Sequence, residues 1–196
     1  DALRFSCNVP MAQLGIAMGQ ETIRKQAELF GFGKRVTYPM TSTASIYPSN
    51  MDDAQVGLSS FGQFDDRTNP LQMAMVSAAI ANQGVEMKPN LVENVLSSSL
   101  SVIAQSVKEM MIGAVQRGVS GNARIKDVVV AGKTGTAQNG KGEPFTLWFT
   151  GFAPADNPQV AVAVVIADGG GIGQGGVGNS LAAPVARKVM EAVLRK

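Results

Sequence analysis

Residues 128–138 read Val-Val-Val-Ala-Gly-Lys-Thr-Gly-Thr-Ala-Gln, and this stretch decides the fold. Its apolar start predicts a β-strand, and the strand ends in a lysine, two threonines and a glycine. Such a strand end can present a cation, hydroxyl donors and an open backbone edge to one anionic substrate. The segment therefore predicts a recognition surface with room for chemistry, centred on Lys133, Thr134, Gly135 and Thr136.

Two more apolar segments follow this strand, and each is preceded by a short polar turn. The first turn is Asn-Gly-Lys-Gly at residues 139–142, and the second is Asp-Asn-Pro at residues 156–158. Turns this short require antiparallel pairing. We therefore expect a meander of three strands over residues 128–137, 146–153 and 159–168. A final helix over residues 181–195, capped by Ser180 or Asn179, is expected to pack on the sheet.

The first part of the chain, about residues 1–120, is predicted to be helical. Apolar residues recur at helical spacing over residues 11–30, 70–83 and 101–117. Residues 36–66 show no clear period and are expected to form a long irregular loop. The predicted fold class is α+β, with an antiparallel sheet flanked by helices. The helical part covers about residues 1–120, and the strand meander with its final helix covers about residues 127–196.

Lys133-Thr134-Gly135 and the later segment Phe-Thr-Leu-Trp-Phe-Thr-Gly at residues 145–151 resemble the penicillin-binding protein transpeptidase domain. Gly-Gln at residues 62–63, Asn-Pro-Leu-Gln-Met-Ala at 69–74 and Ala-Ala-Ile-Ala-Asn-Gln-Gly at 78–84 resemble further stretches of that family. The likeness is greatest to its monofunctional class B enzymes. Asn69 stands where threonine is usual, and Thr146 stands where many members have histidine. The resemblance implies a serine β-lactamase/transpeptidase-like fold.

The family also has a Ser-x-Asn loop, and the sequence offers two candidates for it. Ser6-Cys7-Asn8 lies far upstream of Lys133, as the family pattern requires. The other candidate, Ser120-Gly121-Asn122, lies just upstream of the strand and is naturally read as a turn after the helix that ends near residue 117. Spacing therefore favours the first candidate.

The resemblance implies a role for each matched residue. Ser6 would relay a proton to the leaving amine, and Lys133 would hold the Ser6 hydroxyl in a positive field. The backbone N–H of Thr136 would supply half of an oxyanion hole. Asn8 would bond a substrate amide, and the hydroxyls of Thr134 and Thr136 would bind a terminal carboxylate. Gly135 has no side chain, so the substrate could approach this strand edge-on. The resemblance thus implies catalytic roles for Ser6, Lys133 and Thr136, and substrate-binding roles for Asn8, Thr134 and Gly135.

The family's nucleophile, the serine of a Ser-x-x-Lys helix, has no counterpart here, because no serine in this sequence has a lysine three positions later. That helix normally precedes the Ser-x-Asn loop. We therefore expect residues 1–196 to be the C-terminal part of one transpeptidase domain, incomplete at its N-terminal side and inactive on its own. The missing N-terminal half of the same domain is its first expected partner.

The resemblance implies a peptidoglycan D,D-transpeptidase, which cross-links the cell wall by acyl transfer from D-Ala-D-Ala stem peptides and is inhibited by β-lactams. A D,D-carboxypeptidase, a β-lactamase or a β-lactam sensor domain is the nearest alternative. A non-catalytic scaffold fragment is an alternative of another class. Stem peptides, β-lactams and other cell-wall synthesis proteins are the expected partners. The implied location is the extracytoplasmic face of the bacterial membrane, with an anchor in the missing upstream segment.

Composition narrows the chemistry further. The sequence contains no histidine, which excludes a Ser-His-Asp triad or a His-based zinc site within it. We expect no cofactor and no metal. A net charge of +2 gives no reason to expect nucleic acid binding. The single cysteine, Cys7, cannot form an internal disulfide and is expected to be a small buried residue.

A rival motif, Gly-x-Gly-x-x-Gly at residues 171–176, follows a predicted strand and precedes a helix, as in dinucleotide-binding folds. Within this sequence no further strand and no ribose-binding acidic residue follow that helix. We therefore interpret the motif as a glycine-rich loop.

Overall fold

The computed structural model describes residues 1–36, 42–89, 98–99 and 104–195. Within them, seven α-helices and five β-strands alternate with short 3-10 turns. The helices are α1 Ala2–Phe5, α2 Asn8–Met18, α3 Gln20–Leu29, α4 Asp53–Ser59, α5 Pro70–Ala81, α6 Gln105–Arg117 and α7 Gly178–Leu194. The strands are β1 Glu86–Met87, β2 Ser98–Ser99, β3 Ala131–Ala137, β4 Thr146–Ala153 and β5 Val160–Ile166.

The predicted meander is confirmed, because β3, β4 and β5 form an antiparallel sheet in that order. Lys133 on β3 pairs with Thr150 on β4, which in turn pairs with Ala163 on β5. The first strand is shorter than predicted. Val128 makes an isolated bridge with Ile125 before β3 begins at residue 131. The third strand also stops two residues short of the predicted end.

Two hydrophobic clusters cover the two faces of this sheet. Side chains three positions apart on a strand point to opposite faces, and Phe149 and Phe152 of β4 are both fully buried. Phe149 packs in a cluster with Met190 of α7, whereas Phe152 packs in a second cluster with Ile80 of α5. The sheet is therefore enclosed between α7 on one side and α5 with α6 on the other, which confirms the α+β class and the flanking helices.

The predicted single helix over residues 11–30 is wrong. The chain forms α2 and α3 instead, and they are separated by Gly19, whose φ of +76° is incompatible with a continuous helix. The predicted irregular loop over residues 36–66 is also wrong in part, because it contains α4. Asp52 and Gln55 form a capping box that starts this helix. Residues 37–41 of that loop lie outside the described residues.

The other helices agree better with the sequence. Helix α5 begins at Pro70 as predicted, with the Asn69 side chain accepting the Gln72 N–H, and it ends two residues early. Helix α6 is described from Gln105, and residues 101–103 of its predicted range lie outside the described residues. None of the described helices is long and apolar enough to cross a membrane.

The final helix starts earlier than expected. Helix α7 begins at Gly178 rather than residue 181, and neither Ser180 nor Asn179 caps it with its side chain. Instead, Asn179 Oδ1 accepts the backbone N–H of Asn122, at 3.0 Å. The predicted cap is therefore wrong, because Asn179 serves a tertiary contact. The glycine-rich motif at 171–176 lies in 3-10 turns, and Gly169 and Gly170 just before it adopt positive φ.

Candidate active site

The centre of the site is a contact between two residues that lie 127 positions apart in the sequence. Lys133 Nζ donates to Ser6 Oγ at 2.8 Å and to the carbonyl of Thr134 at 2.7 Å. Burial lowers the pKa of Lys133 from its usual value. The ammonium group of Lys133 on β3 is thus held against the Ser6 hydroxyl.

The Ser6-Cys7-Asn8 segment is the joint between two helices. Ser6 ends α1 in the left-handed conformation, with φ 55° and ψ 46°, and Asn8 is the first residue of α2. This tight reversal turns the serine towards Lys133 while the asparagine borders the same cleft. The expectation that Cys7 is buried is wrong, because the thiol is exposed on this turn.

A cleft of about 320 Å³ runs between this turn and β3. It continues into a groove of about 370 Å³ beside the start of α7. All six residues predicted from the sequence line the first cavity: Ser6, Asn8, Lys133, Thr134, Gly135 and Thr136. Their roles stay predictions, but the fold brings the six together around one space.

The other Ser-x-Asn candidate has a different position. Ser120 is fully buried and is absent from the cleft lining. Its Oγ accepts the backbone N–H of Thr134 at 3.1 Å and lies 3.1 Å from Thr134 Oγ1. Asn122 bonds Asn179 through both its backbone and its side chain. The turn predicted here exists, and it also supports the strand that faces the cleft.

The start of α7 supports the second threonine. The Gly178 N–H donates to Thr136 Oγ1 at 3.3 Å. A Cβ at Gly178 would lie 2.5 Å from the Gly135 carbonyl and 2.6 Å from the Trp148 carbonyl, both of which are backbone atoms. Only glycine permits the helix to approach the sheet this closely.

Gln63 lies on the free edge of β3. Its Nε2 donates to the Thr136 carbonyl at 3.4 Å, and its Oε1 accepts the Gln138 N–H at 3.3 Å. In an antiparallel strand the N–H and C=O of one residue point the same way. The Thr136 N–H therefore faces this open edge too, where an oxyanion donor would have to be.

A larger cavity of about 610 Å³ adjoins the cleft and shares its β3 wall. It contains Asp66, whose carboxylate accepts from Ser59 Oγ at 2.7 Å. Burial raises the pKa of Asp66 to about 6. The Tyr47 hydroxyl in the same cavity is also buried, and burial raises its pKa above the usual value.

Sequence reasoning missed three of these contributors: Gln63, Ser120 and Gly178. Gln63 is indicated only by the Gly-Gln stretch that resembles the family, and no motif in the sequence points to Gly178. Ser120 does carry a Ser-x-Asn signal, but its buried position behind Thr134 depends on tertiary packing.

Comparison with known proteins agrees with this geometry. The family model of the penicillin-binding protein transpeptidase domain matches residues 1–191. The peptidoglycan D,D-transpeptidase PbpA of Mycolicibacterium smegmatis is 34% identical over all of this chain and 44% of its own length. PbpA of Mycobacterium tuberculosis is 35% identical over all of this chain and 43% of its own length. The chain thus spans less than half the length of these curated relatives.

Solved structures give the same result. Penicillin-binding protein A of M. tuberculosis, in its ceftriaxone acyl-enzyme complex, superposes with a TM-score of 0.89 and 33% identity, covering 96% of this chain and 46% of that one. The D,D-transpeptidase domain of an Eggerthella lenta peptidoglycan glycosyltransferase superposes with a TM-score of 0.80 and 32% identity, covering 99% of this chain and 52% of that one. On this agreement of motif, fold and sequence, the chain belongs to the penicillin-binding protein transpeptidase domain family.

Proposed function

We propose that this chain forms one part of a peptidoglycan D,D-transpeptidase active site. The observation that carries the proposal is the Lys133 Nζ to Ser6 Oγ contact of 2.8 Å across the cleft, whose β3 wall also presents Thr134 and Thr136. The cleft thus brings together a hydroxyl that can relay a proton, a desolvated cation and donors suited to a carboxylate.

In the acylation step, a serine from a Ser-x-x-Lys segment attacks the carbonyl carbon of the penultimate D-alanine of a stem peptide. The peptide bond to the terminal D-alanine breaks. The lysine of the Ser-x-x-Lys segment takes the proton of the attacking serine and passes it to Ser6, which gives its own proton to the departing amine, while Lys133 stabilises the Ser6 oxygen. An amine of a second stem peptide then attacks the ester, forms the cross-link and releases the serine with its proton restored.

The remaining residues bind and orient the acyl donor. Thr134 and Thr136 donate to its terminal carboxylate in a shielded cleft, where charge-assisted bonds are strong. The Thr136 N–H faces the developing oxyanion, and one such donor lowers a barrier by about 3 kcal/mol in other acyl-transfer enzymes. Asn8 bonds the substrate amide, and Gly135 leaves room for the peptide to lie along the strand.

The first test is intact mass spectrometry of the protein that carries this chain together with a Ser-x-x-Lys segment, with and without penicillin. We expect a covalent adduct with the mass of the drug. No adduct in a folded protein would reject the acyl-enzyme and favour a non-catalytic scaffold. An adduct that is rapidly hydrolysed would favour a β-lactamase.

A second assay separates transpeptidase from carboxypeptidase. A D-Ala-D-Ala peptide is incubated with the protein in the presence and absence of an added D-amino acid as acceptor. A transpeptidase yields the exchanged peptide, whereas a carboxypeptidase yields only the peptide shortened by one D-alanine. The D,D-transpeptidase names of the two PbpA relatives favour the first result.

This chemistry also bears on location and partners. We propose that the protein works at the extracytoplasmic face of the membrane, held by a segment outside these residues, because its stem-peptide substrates are there. β-Lactams are proposed inhibitors, since a related structure is a ceftriaxone acyl-enzyme complex.

A further inference from the structure

Ser120 is a buried residue for which the proposed mechanism has no use. It lies between α6 and the 3-10 turn Gly121–Ala123, with no exposed surface. Its Oγ accepts the Thr134 N–H at 3.1 Å and lies 3.1 Å from Thr134 Oγ1. A single hydroxyl therefore contacts both the backbone and the side chain of one cleft residue.

The available protons determine which hydroxyl donates in the hydrogen bond between Ser120 and Thr134. If Thr134 donated to Ser120, the Ser120 Oγ would accept twice, and its own proton would be buried without an acceptor among the described contacts. A buried donor without a partner is costly. Ser120 must therefore donate to Thr134 Oγ1, so the proton of Thr134 is left for a third partner.

The Thr136 hydroxyl oxygen also accepts a hydrogen bond from the protein, in this case from a backbone N–H. Thr136 Oγ1 accepts the Gly178 N–H at 3.3 Å. Both threonine oxygens therefore accept a hydrogen bond from the protein itself, and both can donate their own protons to a ligand in the cleft that they line. Two donors directed into one cleft suit the two oxygens of a carboxylate.

We propose that Ser120 is a positioning residue that makes the Thr134 hydroxyl an obligatory donor to the carboxylate of the acyl donor. The inference rests on the proposed acyl-transfer site and adds to it a determinant of carboxylate recognition. Ser120 does not touch the substrate; it acts through the orientation of a single proton.

The test compares penicillin with its methyl ester, which lacks the anionic carboxylate, in the protein that contains the complete transpeptidase domain. The measured quantity is the second-order rate constant of acylation. In Ser120→Ala, Thr134 can turn its proton away from the cleft. We expect acylation by penicillin to fall about tenfold, the size of one lost hydrogen bond to a charged group, while acylation by the ester is unchanged.

The chain offers a matched control in Ser77→Ala. Ser77 is also fully buried, and its Oγ lies 2.6 Å from Thr150 Oγ1 on β4, so the same serine–threonine pair is broken on the neighbouring strand. This control should leave the ratio of penicillin to ester unchanged. Thermal unfolding of both variants separates lost stability from lost recognition.

A purely structural role for Ser120 would slow acylation by penicillin and by the ester equally, or slow neither, and either result overturns the inference. If Ser120→Ala does not fold, Ser120→Cys keeps a similar shape with a weaker donor and should lower the ratio by a smaller factor. An unchanged ratio there also overturns it. If the unmodified protein is not acylated at all, the proposed function itself fails. If the unmodified protein is acylated but the ratio of penicillin to ester does not change in the variant, only the inference about Ser120 fails.

Discussion

Gln63 pairs with the backbone of Thr136 across 73 positions of sequence, and so its side chain occupies the free edge of the strand that lines the cleft. An extended peptide bound to β3 would pair with the same carbonyl. We therefore expect Gln63→Ala to accelerate acylation by penicillins with an amide side chain severalfold relative to 6-aminopenicillanic acid, which lacks that amide. The ratio of the two rate constants is the measurement.

The control for this change is Gln174→Ala, which removes another exposed amide that donates to a backbone carbonyl, that of Glu143, and which does not line the cleft. It should leave the ratio at its original value. A ratio that falls in Gln63→Ala would mean that the glutamine helps to bind the ligand instead of competing with it.

Lys133→Ala should abolish detectable acylation of the complete domain while the fold is retained. The variant removes the only ammonium group in contact with Ser6 among the described residues, and it deletes a desolvated cation whose loss costs the fold little. Mass spectrometry with penicillin measures the adduct, and Lys141→Ala, an exposed lysine on the β3–β4 turn, serves as the control. Normal labelling of Lys133→Ala would refute the assigned role.

Asp66 makes stability depend on pH. Its pKa is raised to about 6 in the folded protein from an ordinary value near 3.8. The folded state therefore holds the proton more tightly, and stability falls as pH rises between these two values. Because the group is partly exposed, we expect a loss of the order of 1 kcal/mol by pH 7.5.

Asp66→Asn should remove that part of the pH dependence and be more stable than the unmodified protein at pH 7.5 but not at pH 4. Urea unfolding at both pH values tests this. Asp156→Asn, at an exposed position, should keep the original difference between the two pH values. If Asp66→Asn also kept the original difference in stability between the two pH values, burial would not be raising the pKa of the Asp66 carboxyl.

Gly178→Ala should destabilise the domain by about 1–3 kcal/mol, because the new Cβ would meet two backbone carbonyls that cannot move aside cheaply. The helix must shift, and the bond to Thr136 is lost with it. Thermal unfolding measures the effect. Gly175→Ala is the control, since a Cβ added there would have nothing within 4 Å and the φ of Gly175 is not positive. Equal melting temperatures for the two variants would contradict the close approach.

The strand meander was predictable because its signals are local. Three apolar runs joined by two short polar turns allow only antiparallel pairing between consecutive strands. The break at Gly19 was not, since its neighbours keep a helical pattern on both sides. The missed helix α4 did have a local signal, the capping box of Asp52 and Gln55. Residues 6 and 133 could be paired only through the family resemblance. The support from Ser120 and Gly178 depends on packing distances that no spacing in the sequence records.

The exposed thiol of Cys7 stands between the two cleft residues of its turn, and the sequence contains no other cysteine. A maleimide fluorophore attached there would sit at the mouth of the cleft without any engineered residue. The chain thereby contains its own attachment point for an optical reporter, through which occupation of the cleft could be followed in real time.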